Sequence, residues 1–408
     1  MDGRPVGRLR RLALQRAPVK YGAAPQAVPG VAALARGHGA SPRPGARRDP
    51  LVSASTGRDA LERAAQAGIH RLAIPTPFLV GRVNCYLIED EPLTLLDTGP
   101  NSGKSLDELE QALAGHGYSV EDLGLIVISH QHMDHLGLLE ILARRSGAEV
   151  AALHLLGPYL HDFPKNAAAD DAFAQRVMRR HGVPADLSTV LGAVGAAFRA
   201  FGSRGHVTRQ LHDGDPLQLR DRELLVMHRP GHSPSDTVFW DEERGIMFAA
   251  DHLLAHISSN ALVSRPLLDG AAHDADDADD AESPDDAESR PLLTYIRSME
   301  ATRELPLELV LPGHGEPITD HAALIDERLR MHARRAGKLH RLLAGGPMTA
   351  YELALELWGN VAVTQAYLTI SEVLGHLDLL VHDGLARETV RDGVARFEAF
   401  RDTPSAPA

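Results

Sequence analysis

Six residues, His130-Gln131-His132-Met133-Asp134-His135, bring three imidazoles and one carboxylate to the end of the apolar run Leu125-Ile126-Val127-Ile128. Neutral imidazole and carboxylate are the ligands that a borderline, zinc-like divalent ion takes. Placed where a strand gives way to a loop, alternate side chains aim at two adjacent ion positions. A polar, His-rich surface turn is the plain alternative, and it leaves the density of ligands unexplained.

Three further ligand-type residues occupy similar contexts. His232 follows Pro230-Gly231, which end the apolar run Leu224-Leu225-Val226-Met227 and turn the backbone sharply. Asp251 closes Gly245-Ile246-Met247-Phe248-Ala249-Ala250, and His314 follows Leu309-Val310-Leu311-Pro312-Gly313. Taken singly, each reads more readily as structural; together, four strand ends delivering His or Asp describe one site at one edge of a sheet sandwich. His252, beside Asp251, has a structural and a functional reading of equal weight. Asp97, in Leu95-Leu96-Asp97-Thr98-Gly99, ends another apolar run, where an Asx-type turn is compatible with a functional role.

H-x-H-x-D-H, the distant His232, Asp251 and His314, and the upstream Leu95-Leu96-Asp97-Thr98-Gly99 resemble the metallo-beta-lactamase fold superfamily over residues 74–317. The resemblance implies an α/β chain folded as a four-layer αββα sandwich. It also implies two divalent metal ions, zinc first, with iron or manganese as alternatives. His130, His132 and His232 would hold one ion; Asp134, His135 and His314 would hold the other; Asp251 would bridge them. Asp97 would stand behind the ligands and orient one of them or the bound water.

That ligand set implies a hydrolase in which a metal-bound hydroxide attacks an ester, thioester or lactone carbonyl of a small-molecule or acyl substrate. Asp134 and Asp251 are its candidate catalytic carboxylates, with Asp134 also placed to take the released proton. Asp251 in the bridging position differs from the antibiotic hydrolases that carry a cysteine in the second metal site. A metal-dependent endoribonuclease cutting single-stranded RNA is the alternative, and a non-catalytic binding module is the third class. A complete ligand set speaks against the module.

Composition bounds the rest. At 408 residues and 44% apolar the chain has material for a large core and more than one domain. The single cysteine, Cys85, lies in the strand-like run Val83-Asn84-Cys85-Tyr86-Leu87-Ile88 and reads as core packing. No apolar stretch approaches the roughly 18–20 residues needed to span a bilayer, and the expected location is cytoplasmic, with no membrane partner. Residues 1–50 are rich in Arg, Pro and Gly, and the expected boundaries are a disordered basic extension at 1–68, the catalytic domain at 69–320, and a linker helix with a further small domain at 321–400. Residues 269–289 carry ten acidic residues and no Lys or Arg, so a disordered loop is expected there; it supplies most of the formal net charge of −13. Nucleic-acid binding draws on basic stripes, and none is seen between 74 and 317; Arg176, Arg179 and Arg180 read as a solvated helix face.

Residues 153–205 have apolar positions at helical spacing, including Leu156, Tyr159, Leu160, Phe163, Phe173, Val177, Leu191, Val194, Phe198 and Phe201. Helices there form either an apolar wall above the metals or a cover for the outer sheet. A wall suits an acyl chain better than a phosphodiester. Past residue 320 a helical pattern runs to Arg341, Gly345-Gly346-Pro347 breaks it, and Thr349 with Glu352 sets a capping box. Residues 366–381 predict another helix, followed by a hairpin turned at Arg391-Asp392-Gly393. Helix, helix, hairpin is a winged-helix pattern; together with Ala250-Asp251-His252-Leu253-Leu254-Ala255-His256-Ile257-Ser258-Ser259-Asn260 it resembles the winged-helix-tailed branch related to beta-lactamase-like protein 2, which includes thioesterases that release polyketide chains and endoribonucleases. With no Lys or Arg in 366–381, that tail is expected to pack on the catalytic domain, shape the pocket mouth or form a homodimer contact.

Overall fold

Apolar runs with both faces buried alternate with amphipathic helices through most of this chain, and that pattern demands two sheets packed between helical layers. A computed structural model describes residues 50–267 and 290–400. In chain order the elements are α1 (Pro50–Gln66), β1 (Ile69–Ile74), β2 (Val83–Ile88), β3 (Thr94–Leu96), α2 (Gly103–Gly115), β4 (Leu125–Ile128), α3 (Met133–Leu136), α4 (Leu139–Ser146) and β5 (Glu149–Leu153). Then come α5 (Leu156–His161), α6 (Phe163–Arg180), α7 (Ala185–Phe198), β6 (Arg209–Leu211), β7 (Pro216–Gln218), β8 (Glu223–His228), β9 (Thr237–Asp241) and β10 (Ile246–Ala250). The remainder is α8 (Pro291–Arg303), β11 (Leu309–Pro312), α9 (His321–Leu343), α10 (Ala350–Trp358), α11 (Val361–Thr364), α12 (Ala366–His382), β12 (Ala386–Arg391) and β13 (Val394–Ala399).

The strands form a six-stranded sheet in the order β1-β2-β3-β4-β5-β6 and a five-stranded sheet in the order β11-β10-β9-β8-β7. β4 shows why they face each other. Leu125 and Val127 project into the core between the sheets with Tyr86, Phe239 and Phe248, while Ile126 and Ile128 project into the outer core with Leu109, Leu142 and Leu160. All four are fully buried, and a strand with period two fills both layers at once. Cys85 belongs to the same outer core, as expected of a packing residue. The outer face of the second sheet packs on α8, α9 and the C-terminal helices, giving the αββα layering. Among the described residues no helix is long and apolar enough to cross a membrane.

The expected irregular extension to residue 68 is corrected over its last part. Residues 50–66 form α1, whose small Ala60 and Ala64 pack into the core between the sheets. Residues 1–49 and the acidic segment 269–289 lie outside the described residues.

Residues 153–205 leave β5 and carry α5, α6 and α7, joined to the sandwich by Asn101 N–H donating to Phe201 O at 2.7 Å and by Ser203 Oγ donating to Leu136 O at 3.1 Å. At the C-terminus Thr349 and Glu352 cap α10 reciprocally. The β12–β13 hairpin turns through Asp392 and Gly393 at φ 53° and 73°, the pair of positive φ values that a tight two-residue hairpin requires. Tyr351 N–H donates to His181 O at 3.1 Å and Phe397 stacks on the His181 ring, so the helices of 153–205 and the C-terminal unit share a contact.

Candidate metal centre

The edge where β3, β4, β8, β10 and β11 end collects the ligand-type residues of the sequence. β4 delivers Ser129 and His130, and His132 then caps the single turn α3, which carries Asp134 and His135 on its inner side. From the second sheet come His232 in the loop after β8, Asp251 after β10 and His314 after β11. The register slips between Phe248 and Ala250, and Ala250 takes φ 43°, so the chain bends just before Asp251. β2 fixes the His314 loop: Asn84 N–H donates to Gly313 O at 2.7 Å, and Tyr86 Oη donates to Pro312 O at 2.7 Å. Gly313 has no room for a side chain, since a Cβ there would stand 2.3 Å from Asp251 Oδ1 and 2.9 Å from His135 Cε1.

Two groups result. His132 Nδ1 is 3.1 Å from His130 Nε2 and 2.9 Å from His232 Nε2. His314 Nε2 is 3.2 Å from Asp134 Oδ2, and His135 Nε2 is 4.0 Å from Asp134 Oδ1. Asp251 reaches both: its Oδ2 is 3.6 Å from His232 Nε2 and 3.6 Å from His314 Nε2, and its Oδ1 is 3.5 Å from His135 Nε2. All seven sit together; His132 is half-buried and the rest are buried.

On four of the five imidazoles the outward nitrogen is already occupied. His135 Nδ1–H donates to Asp97 Oδ2 at 2.7 Å. His130 Nδ1–H donates to Ser129 Oγ at 2.9 Å, and that hydroxyl donates to Asp97 Oδ2 at 2.8 Å. His232 Nδ1–H donates to Asn260 O at 2.9 Å, and His314 Nδ1–H to Arg82 O at 2.8 Å. Each bond fixes a tautomer and leaves Nε2 turned inward as a lone pair, the usual state of an imidazole that binds metal.

The inward atoms lack partners of their own. His135 Nε2, His314 Nε2 and Asp251 Oδ1 are buried without a hydrogen bond, a cost of about 1–3 kcal/mol each if left so. The electrostatics point the same way. Burial opposes charge on His135, but Asp97, Asp134 and Asp251 push its imidazole up to about 10. Burial likewise opposes charge on His314, and Asp251 and Asp134 raise it nonetheless. Burial would raise Asp134, but His135 and His314 hold it below the usual carboxylate range; Asp251 is likewise lowered against burial, by His314 and His135. His130 is held well below its usual value by burial and by His135, and His132 is lowered to about 3 by burial and by His232. The carboxylates therefore draw positive charge toward themselves, favouring a proton on His135 and His314 where no cation stands, while His130 and His132 are held neutral. Divalent cations fit this donor set.

Asp97 closes β3 at φ 61° and binds the loop of β4 from behind, its Oδ1 accepting from Ser129 N–H at 2.9 Å. His252 turns away: its Nε2 meets Thr302 Oγ1 at 2.9 Å and its ring packs edge-on against Tyr295. Sequence reasoning missed Ser129, Asn260 and Asp236. Asp236 accepts from Ser233 N–H at 2.9 Å and from its hydroxyl at 2.6 Å, holding the His232 turn, while burial pushes its own carboxyl up to about 6. Spacing within Ser233-Pro234-Ser235-Asp236 is the signal that was available; Ser129 and Asn260 act through long-range partners and leave no such mark. Phe78 in the β1–β2 loop meets Phe198 and Phe201 at ring separations of 5.6 and 6.0 Å, and Leu79 beside it is 90% exposed.

Comparison with known proteins finds relatives of one family. A probable metallo-hydrolase, YqjP of Bacillus subtilis, is 33% identical over 310 residues, 76% of this chain and 91% of its own. An atrochrysone carboxyl ACP thioesterase of Aspergillus terreus is 26% identical over 48% of this chain and 57% of its own length. The acyl-coenzyme A thioesterase MBLAC2 of Homo sapiens matches at 49% identity over 41 residues, 15% of its length. The crystal structure of the metallo-beta-lactamase family protein TTHA1429 from Thermus thermophilus superposes with a TM-score of 0.67 at 26% identity, over 82% of this chain and 99% of that one. The family model for the metallo-beta-lactamase superfamily matches residues 79–314, the span that holds every residue of the cluster. The chain belongs to the metallo-beta-lactamase superfamily.

Proposed function

We propose that this protein is a dinuclear metal-dependent hydrolase of thioesters, with esters and lactones as related substrates. The observation that carries the reading is the pair of triads, His130/His132/His232 and Asp134/His135/His314, that share Asp251. In this reading each triad would hold one divalent cation, zinc first, with Asp251 within reach of both groups. Such a pair, when bound, activates water near neutral pH and polarises the carbonyl that is attacked.

The chain's own residues supply the remaining functions. Asp97 orients His135 directly and His130 through Ser129. Asp134 stands within the inner cluster, where its carboxylate can hold the proton released as water is consumed. In this reading the cluster of Phe78, Phe198 and Phe201 would receive an acyl chain and exclude water from the thioester. The thioesterases among the relatives support the thioester as the bond cleaved. In this reading the C-terminal unit is winged-helix-like, packs on the sandwich rather than on nucleic acid, and the enzyme works in the cytoplasm.

The test is metal content together with turnover of acyl-thioester, aryl-ester, lactone and single-stranded RNA substrates, before and after chelation. Two ions per chain that are lost on His130→Ala with His314→Ala, and chelator-sensitive thioester cleavage, are the expected result. Selective RNA cleavage, or thioester turnover untouched by chelation, overturns the proposal.

A further inference from the structure

A second group of ligand-type side chains lies outside this centre, where α9 packs against α12: His332, Glu372 and His376. Glu372 and His376 are four apart and share a face of α12; His332 comes from α9. His376 Nδ1–H donates to the carbonyl of Glu372 at 2.6 Å, which leaves its Nε2 as a lone pair 3.1 Å from His332 Nδ1. His232 and His314 are built in the same way, with a main-chain carbonyl holding the outer N–H. The separation also matches the 3.1 and 2.9 Å between imidazole nitrogens in the catalytic cluster.

Both imidazoles are 1% exposed, and the His332 nitrogen that faces His376 is Nδ1. The Glu372 carboxylate, bonded to Arg335 through one oxygen, adds a third donor and a negative charge. A cavity of about 110 Å³, lined by Arg335, Lys338, Trp358, Glu372 and His376 among others, adjoins the cluster and leaves space for a water as a further ligand.

We propose that His332, Glu372 and His376 form a separate divalent-metal site of the zinc class, clamping the helix that leaves the sandwich to the longest helix of the C-terminal unit. Two imidazoles and one carboxylate with an open fourth position make a site that suits zinc, cobalt(II) or nickel(II) better than calcium or magnesium. The competing arrangement is a metal-free pair in which His332 Nδ1–H donates to His376 Nε2. It needs no cation and predicts none.

The two are separated by cobalt(II) titration of the full chain after the catalytic cluster is disabled by His130→Ala with His314→Ala. The expected result is a saturable visible absorption of imidazole-bound cobalt that disappears when His376→Gln is added. Loss of one ion per chain on introducing His376→Gln alone, together with loss of the zinc-induced rise in Tm, is the matching result in the otherwise native protein. Should His376→Gln fail to fold, Glu372→Gln serves as the second variant, with weakened cobalt affinity expected. Identical cobalt content and spectra with and without these substitutions overturn the proposal and leave the catalytic reading untouched.

Discussion

Asn260 binds His232 through its backbone and the C-terminal unit through its side chain: its carbonyl accepts from His232 Nδ1–H at 2.9 Å, and its Nδ2 donates to Leu368 O at 2.8 Å. One residue thus fixes both the tautomer of a candidate ligand and the seating of α12. Asn260→Ala removes only the second bond. The expected outcome is a loss of about 1 kcal/mol in urea denaturation, with metal affinity retained because the carbonyl remains.

Asp97 tests whether residues behind the ligands set metal affinity. Asp97→Asn replaces the acceptor shared by His135 Nδ1 and Ser129 Oγ. Metal affinity, read by competition with a chromophoric chelator, should fall by about 10–100-fold. If Asp97 acted only as a turn former, Tm would move and affinity would not.

Gly313 gives a purely steric prediction. Gly313→Ala would place a methyl 2.3 Å from Asp251 Oδ1, and the carboxylate or the His314 loop must move. A misplacement of that order lowers hydrolytic turnover by about a hundredfold. Circular dichroism should stay native.

Acid sensitivity is predicted at the contact between α6 and the C-terminal unit. Burial and the neighbouring Arg180 lower His181 to about 3, while the unfolded chain titrates near 6.5. The folded form therefore keeps His181 neutral: its contribution is whole above pH 6.5 and is lost as pH falls toward 3. Between pH 7 and pH 5 the loss amounts to about 2 kcal/mol from this group. His181→Phe, which preserves an aromatic face for Phe397, should flatten that part of the stability profile measured by denaturant midpoints.

Much of the centre was legible in the sequence because each candidate ligand ends an apolar run, and a strand has only one end at a given sheet edge. The pattern at His130 to His135 and the isolated His232, Asp251 and His314 all carry that mark, and the structure brings them together. His252 carries it as well, yet one residue of offset along the turn sends it to Thr302. Helix α1 was read as irregular because its core contacts are made by Ala60 and Ala64, whose small side chains leave a weak apolar period beside a basic, Pro-rich stretch. The role of Asn260 leaves no mark in the sequence because it depends on two partners, 28 and 108 residues away.

Neither sheet owns the cluster. One contributes His130, His132, Asp134 and His135 within six residues; the other contributes His232, Asp251 and His314 from three separate strand ends. A half-formed protein thus offers a cation only a fraction of its donors. Ion capture becomes a report that the two halves have met in register, and a chain that has closed wrongly goes unloaded.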